Sequence, residues 1–442
     1  MFESESYRDI KKAVDEIRLI DTHEHLIPEK DRVAQDVDVL TTFLTHYVSS
    51  DLVSSGMQLE DLQAILSQEI PVGDRWKILA PFWENVRYSG YARAVEIAAR
   101  DLYGVDRIDE ATYADLSRKM KEVNRMGLYR WVLQQKAGID RCILDPIDEL
   151  GRAIPTVDVD RSLFAPVMRF DGFIMVNNLF DMKNLSKRAG IAIHSLQDLL
   201  KALDIQFERV AKSIFGVKTT LAYYRTIRFD KTDQTEAEKA FNTIFRSQPL
   251  DWRPDSIPGS VLMYGPSMEE AKPLQDFMMH RLIQLAAKHR LPVQVHTGLQ
   301  EGFGNVISNS NPLNLTNLFV EYSEVKFDIF HGGYPYTGEL ATLAKNFQNV
   351  YVDMCWLHII SPSRARSALS EWLETVPTNK ILAFGGDYLF VEGVYGHSVL
   401  ARENVARVLW EKVEEGSMRM KDAKTLANRL LRQNALNLFR IE

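Results

Sequence analysis

Ile20-Asp21-Thr22-His23-Glu24-His25-Leu26 closes an apolar run that begins at Ile17, and it reads as a β-strand ending in a metal claw. Side chains two apart on a strand share a face, so His23 and His25 project together with adjacent imidazoles suited to one cation. A lone His-x-His pair is weak evidence, and its weight comes from three other runs. His296 ends Leu291-Pro-Val-Gln-Val-His296, His331 ends Phe327-Asp-Ile-Phe-His331, and Asp387 follows Ile381-Leu-Ala-Phe-Gly-Gly. Four separate apolar strands thus finish on metal-ligand or acid/base residues.

Working outward, eight short β-rich runs are found: Ile17 to Thr22, Arg141 to Leu144, Phe164 to Phe170, Ser213 to Thr219, Pro292 to His296, Lys326 to Phe330, Val350 to Met354 and Lys380 to Phe384. Apolar runs without strict alternation fit strands covered on both faces, as in a parallel sheet. Helical patterns separate most of them, among them Met268 to Lys288, Thr337 to Asn346, Ser363 to Glu374 and Ser398 to Glu415. Strand and helix alternating eight times predict an α/β fold, a (β/α)8 barrel, with a doubly wound open sheet as the alternative. Residues 1–442 are read as a single barrel domain.

The spacing is uneven. About a hundred and twenty residues separate the first two runs, against about twenty-five to thirty-five between the last four. The segment 31–137 is helical in pattern and leaves from the active-site end of strand one, so it either caps the site or serves only for packing or dimerisation. A second insertion, about 230–272 between strands four and five, carries Gln248-Pro-Leu-Asp-Trp-Arg-Pro-Asp-Ser-Ile-Pro258, whose prolines break regular structure, and it should lie over the same mouth. The stretch from Arg419 has helical spacing and predicts a closing helix.

With 26% charged and 45% hydrophobic residues the composition is that of an ordinary globular protein. A net charge of −7 without basic clusters gives no footprint for nucleic acid or anionic membrane. No stretch approaches the ~20 apolar residues of a membrane span. Cys142 and Cys355, both in strand-like runs, read as buried thiols, and two such cysteines favour a reducing compartment. The acidic N-terminus does not have the pattern of a signal peptide, so the cytoplasm is expected.

If the eight runs are the barrel strands, His23 and His25 end strand one, His296 strand five, His331 strand six and Asp387 strand eight, all facing one mouth. A divalent ion held by His23, His25, His296 and Asp387 leaves room for water, whose pKa falls from 15.7 toward roughly 7. Asp387 can bind the ion and also accept a proton. His331 is the partner that polarises the substrate oxygen or protonates a leaving group.

This order resembles the amidohydrolase superfamily, metal-dependent (β/α)8 enzymes with His-x-His on strand one, His on strands five and six, and Asp on strand eight. Val293-Gln-Val-His296-Thr-Gly298, Asn311-Pro-Leu313, His331-Gly-Gly-Tyr-Pro-Tyr336, Val350-Tyr-Val-Asp353 and Gly385-Gly-Asp387 are similar to the branch fused to glutamine-synthetase-like domains. Uronate isomerase is a more distant likeness. The resemblance implies a metal-dependent hydrolase cleaving an amide or ester of a small carboxylate-bearing substrate. It leaves uronate-type isomerisation, non-oxidative decarboxylation and a non-catalytic binding module as alternatives. It also implies a homo-oligomer and one divalent ion, with zinc expected, although nitrogen and oxygen donors also accept manganese, iron or nickel. Lys218, near the end of strand four, falls where binuclear relatives carry a carboxylated Lys bridging two ions, and a substrate-facing or structural role is the alternative. Gly385-Gly386-Asp387 departs from the Thr-Asp of many relatives and loses a hydroxyl.

Arg225 and Tyr223 are placed to clamp a substrate carboxylate, Arg suiting bidentate binding, although a surface Arg is equally consistent. Arg169 and Asp171 end strand three at the same mouth. His358 and His397 follow strands seven and eight and are candidates for substrate contact. His46, His194, His280 and His289 read as ordinary surface or core histidines.

Overall fold

Among the described residues every pairing between strands is parallel, with one isolated antiparallel bridge, Ile147 to Ala153, outside the strands. The computed structural model describes residues 4–148, 153–246 and 268–441, and among them are nine strand segments. These are β1 (Leu19–Glu24), β2 (Ile139–Leu144), β3 (Phe164–Pro166), β4 (Met168–Arg169), β5 (Val217–Thr219), β6 (Val293–Val295), β7 (Phe327–Ile329), β8 (Val350–Asp353) and β9 (Ile381–Leu382). They pair in chain order as β1-β2-β3 and as β4 through β9. β3 and β4 are halves of one run. At Val167 between them the N–H donates to the Leu144 carbonyl, and the next N–H, of Met168, donates to that of Gly216, handing the pairing from β2 to β5. The ring closes where the Thr22 N–H donates to Phe384 O at 3.2 Å and the Asp387 N–H to His23 O at 2.7 Å. The eight runs thus form an eight-stranded α/β barrel.

One end of the barrel is plugged. Ile20, Ile143, Ala165, Val167 and Leu382 pack against Leu438 and Phe439 of the terminal helix Asn434–Phe439. Asn434 ties that helix down, its amide donating to the carbonyls of Thr378 and Ile381 at 2.7 Å. Chemistry is left to the opposite, C-terminal end of the strands. The predicted helices appear as Met268–His289, Thr337–Asn346, Pro362–Thr375 and Val391–Glu414. The closing stretch forms helical pieces from Met420 to Phe439. In the second insertion Gln234–Arg246 is helical; its proline-rich stretch lies outside the described residues.

The first insertion is helical as expected, running from Glu29–Ala34 through Tyr47–Ser54 and Gly90–Tyr103 to Tyr113–Val123. Two glycines let it approach the barrel backbone to backbone. A Cβ on Gly90 would overlap the Ile359 carbonyl, and one on Gly396 the carbonyl of Ala94. Buried ionic contacts reinforce this: Arg32 pairs with Glu392 at 2.9 Å, and the Tyr103 hydroxyl donates to the same carboxylate.

Candidate metal centre and active site

β1 delivers His23, the residue after it delivers His25 one step beyond, and the loop after β9 swings Asp387 against them. His25 Nε2 lies 3.2 Å and His23 Nε2 3.7 Å from Asp387 Oδ1, while His331 Nε2 lies 3.8 Å from the other oxygen, Oδ2. His23, His25 and Asp387 each offer a ligand atom within 4.8 Å of one another. His296 Nδ1 stands 3.0 Å from His331 Nε2. The structure therefore gathers all five strand-end residues, with His296 behind His331 and apart from the His23, His25 and Asp387 set.

Each imidazole has its tautomer fixed by the acceptor behind it. His25 Nδ1 faces the Asp145 carbonyl at 3.1 Å, His331 Nδ1 the Cys355 carbonyl at 3.0 Å, and His296 Nε2 the Leu299 carbonyl at 3.1 Å. A carbonyl only accepts, so each of these nitrogens carries the proton. His23 Nδ1 faces Gln294 Oε1 at 3.1 Å, and Gln294 Nε2 donates to Thr22 O and Asp328 Oδ2. That fixes the amide, so His23 Nδ1 is also a donor. The four remaining nitrogens are lone pairs facing the centre, and His23 Nε2 and Asp387 Oδ1 have no hydrogen-bond partner there. Converging lone pairs beside a carboxylate fit a divalent cation. Burial holds His331 down to about 4 and His23 and His296 well below the usual histidine range, so these rings are neutral at neutral pH. Burial pushes the Asp387 carboxyl up, and what outweighs burial to hold it low is positive charge at the positions of His25, His23 and His331, a charge that neutral rings leave to a bound cation.

The backbone is strained where these residues sit. Six non-glycine residues have positive φ among those described, and four of them, His46 (65°), His331 (60°), Trp356 (67°) and Asp387 (57°), line this end of the barrel. Such conformations cost of order 1 kcal/mol or more each and concentrate at functional sites. The Gly-Gly before Asp387 has a packing cause: a Cβ on Gly386 would overlap the Glu24 carboxylate, and one on Gly385 would overlap Thr22 and Cys355. The departure from Thr-Asp thus makes room for Glu24, a larger consequence than the lost hydroxyl.

The other expected site residues fall into two groups. Arg169 is at the mouth, its Nε donating to Asp145 Oδ2 at 2.5 Å with Nη2 3.4 Å from His25 Nε2. Lys218 is its register partner on β5, buried, with its ammonium 3.5 Å over the Phe330 ring, and burial lowers its pKa. Tyr223 packs its ring 4.6 Å from His296 and accepts from the Glu301 N–H. Arg225, expected to clamp a substrate carboxylate, is buried. Its guanidinium is committed to Gln275, Asp276 and the carbonyls of Thr226 and Arg228, because a buried cation must be paired. His358 bonds Ala383 O and Asn404 with its two nitrogens, a structural post. His397 donates to Gly386 O and packs edge-on among Phe384, Trp356 and Tyr388, bracing the loop that carries Asp387. Asp171 accepts from Thr220 and holds the β5 end.

Sequence reasoning missed four contributors. Asp145, one residue past β2, sits between His23, His25 and Arg169, and its position after Arg141-Cys-Ile-Leu144 was the available signal. Gln294, two residues before His296 on the same face, orients His23. His46 and Tyr47 come from the insertion: their rings lie 4.9 and 4.8 Å from Trp356, and His46 Nδ1 and the Tyr47 hydroxyl are buried without a partner. Burial takes His46 down to about 3. No periodicity marks a histidine at the start of a helix in the insertion as facing the site.

The fold and site define an α/β barrel enzyme with an imidazole and carboxylate centre at the C-terminal ends of its strands. Residues 262–441 match the profile of the family described as Amidohydrolase. Over 235 residues the chain is 26% identical to Protein fluG of Emericella nidulans, a match covering 52% of this chain and 26% of that protein, so the chain spans only a fraction of the relative's length. The fold resembles uronate isomerase from Thermotoga maritima (TM-score 0.79, 16% identity, 99% of this chain and 98% of that one). It also resembles glucuronate isomerase from Caulobacter crescentus (TM-score 0.74, 17% identity, 99% and 94%). At these identities the structural likeness speaks to the fold. The chain is an enzyme whose C-terminal part is similar to the amidohydrolases. No helix among the described residues is long and apolar enough to cross a membrane.

Proposed function

We propose that the protein is a metal-dependent hydrolase acting on an amide or ester bond of a small carboxylate-bearing molecule. The observation that carries this reading is the convergence of three tautomer-locked imidazole nitrogens, of His23, His25 and His331, on the buried Asp387, with His296 Nδ1 beside His331. His23, His25 and Asp387 hold the ion, with His296 and His331 beside them, and zinc suits this donor set. Bound there, a divalent ion supplies Lewis acidity toward water and toward the substrate carbonyl. The chain's own residues do the rest. Asp387 accepts the proton of the attacking water, and the neutral His331, with Nε2 free, takes up a proton and returns it to the leaving group. Arg169 and Lys218, adjacent across β4 and β5, present cationic groups for a substrate carboxylate. A cytoplasmic site of action accords with two free, buried cysteines.

A second reading, uronate-type isomerisation, is favoured by one observation. His46 Nδ1 and the Tyr47 hydroxyl are unpartnered polar groups brought to the mouth by the insertion, suited to the hydroxyls of a sugar acid. One experiment separates the two: incubate the metal-loaded enzyme with panels of N-acyl and ester acids and of uronates in 18O- and 2H-labelled water. Turnover with 18O entering a product carboxyl supports hydrolysis. Turnover of a uronate with solvent hydrogen entering carbon, and no hydrolysis, would overturn it in favour of the isomerase.

A further inference from the structure

Asp387 presents its two oxygens to two different sets of donors. Oδ1 faces His25 and His23, whereas Oδ2 faces His331. His331, Cys355 and Asp387 form a second group whose ligand atoms all lie within 4.8 Å of one another. Cys355, two residues past the end of β8, is wholly buried with a free thiol. Its own carbonyl accepts from His331 Nδ1, which aims the opposite nitrogen into the group.

A second, independent observation points to a cation there. His331 Nε2 and His296 Nδ1 are both lone pairs by the carbonyl acceptors behind their rings, yet they stand 3.0 Å apart. Two facing lone pairs repel unless something positive lies near both. Two nitrogens bound to one ion at ~2.0–2.1 Å each come to stand roughly 3 Å apart, the separation found here. A shared proton would answer the same need only by charging a wholly buried ring pair, which burial opposes.

We propose that Cys355 is a thiolate ligand of a second divalent ion, bound by Cys355 Sγ, His331 Nε2 and Asp387 Oδ2 with His296 Nδ1 alongside. This rests on the metal-site reading above and gives that site a soft donor. Thiolate favours zinc, cadmium or cobalt(II) over magnesium or manganese. On binding, the thiol proton passes to solvent, a sulfur lone pair forms the bond to the ion, and nothing is oxidised or reduced. With this ion in place His331 serves as a ligand, and proton handling rests on Asp387.

The test is anaerobic titration of the metal-free, full-length chain with cobalt(II), read by absorption. Expected are two ions per chain, visible d–d bands, and a near-ultraviolet thiolate-to-cobalt charge-transfer band that persists in Cys142→Ser. In Cys355→Ser that band should vanish and the stoichiometry fall from two to one. Should Cys355→Ser fail to fold, the wild type and Cys142→Ser still decide, since the chain has two cysteines. Cobalt binding with d–d bands but no charge-transfer band would overturn the thiolate ligand and leave the metal-site reading standing. No cobalt binding at all would overturn both.

Discussion

His23, His296, His331 and Asp387 are carried by strands or by the residues just past them, whereas His46 and Tyr47 reach the same mouth on a helix of the insertion. The strand-borne groups are held from behind by backbone carbonyls and by Gln294, so each ring has one proton position and one direction. The insertion-borne pair has no such backing: His46 Nδ1 and the Tyr47 hydroxyl are buried with no partner. A group whose tautomer is locked by the scaffold suits a fixed cation. A group left unpartnered suits a ligand that arrives and leaves, because burial without a partner costs about 1–3 kcal/mol until something bonds it. On the function proposed above, the barrel supplies the reacting centre and the insertion supplies selectivity.

That division can be broken most severely at Asp387. Asp387→Asn removes the proton acceptor while keeping the side chain's shape, and kcat should fall by about 10²–10⁴-fold with the thermal unfolding midpoint little changed. Unchanged turnover would take Asp387 out of the mechanism. Next comes the support behind the ligands. Gln294→Leu frees His23 Nδ1 from its acceptor and should weaken metal binding by about 10–100-fold in competition with a chelator, an effect a merely space-filling Gln294 would not produce.

How much of this was legible beforehand follows the same division. A strand period of two carries side-chain direction, so His23, His25, His296, His331 and Asp387 could be placed at one mouth from spacing alone, and eight apolar runs gave the barrel. Arg225 shows the limit. Its position in the chain put it near the mouth, but its pairing with Asp276 on a distant helix decides its role, and sequence distance does not encode that. His46 shows the converse, since its direction depends on a left-handed backbone at the start of a helix, which no residue pattern announces. His358 and His397 lay on the correct side of the barrel, yet both nitrogens of His358 and the Nδ1 of His397 are used to brace it.

Smaller effects sharpen the insertion's part. Tyr47→Phe and His46→Gln should each raise KM or lower kcat by up to about tenfold, the value of one hydrogen bond to substrate of ~0.5–1.5 kcal/mol, while metal content stays the same. Loss of metal in either variant would move the insertion into the ligand set and erase the distinction. The smallest effect is one of pH and concerns the structural histidine. Burial holds His358 down to about 4, below the ~6.5 of an exposed histidine. The unfolded chain therefore binds a proton first as pH falls, and stability drops between about pH 6.5 and pH 4. Urea midpoints of the wild type and His358→Gln, compared across that range, should show a shallower pH slope in the variant.

The most direct test is an anomalous-difference map from crystals of the zinc-loaded protein, collected on either side of the zinc absorption edge. The account predicts a peak bounded by His23 Nε2, His25 Nε2 and Asp387, present above the edge and gone below it. A fully zinc-loaded crystal with density for these side chains and no anomalous peak among them would contradict it.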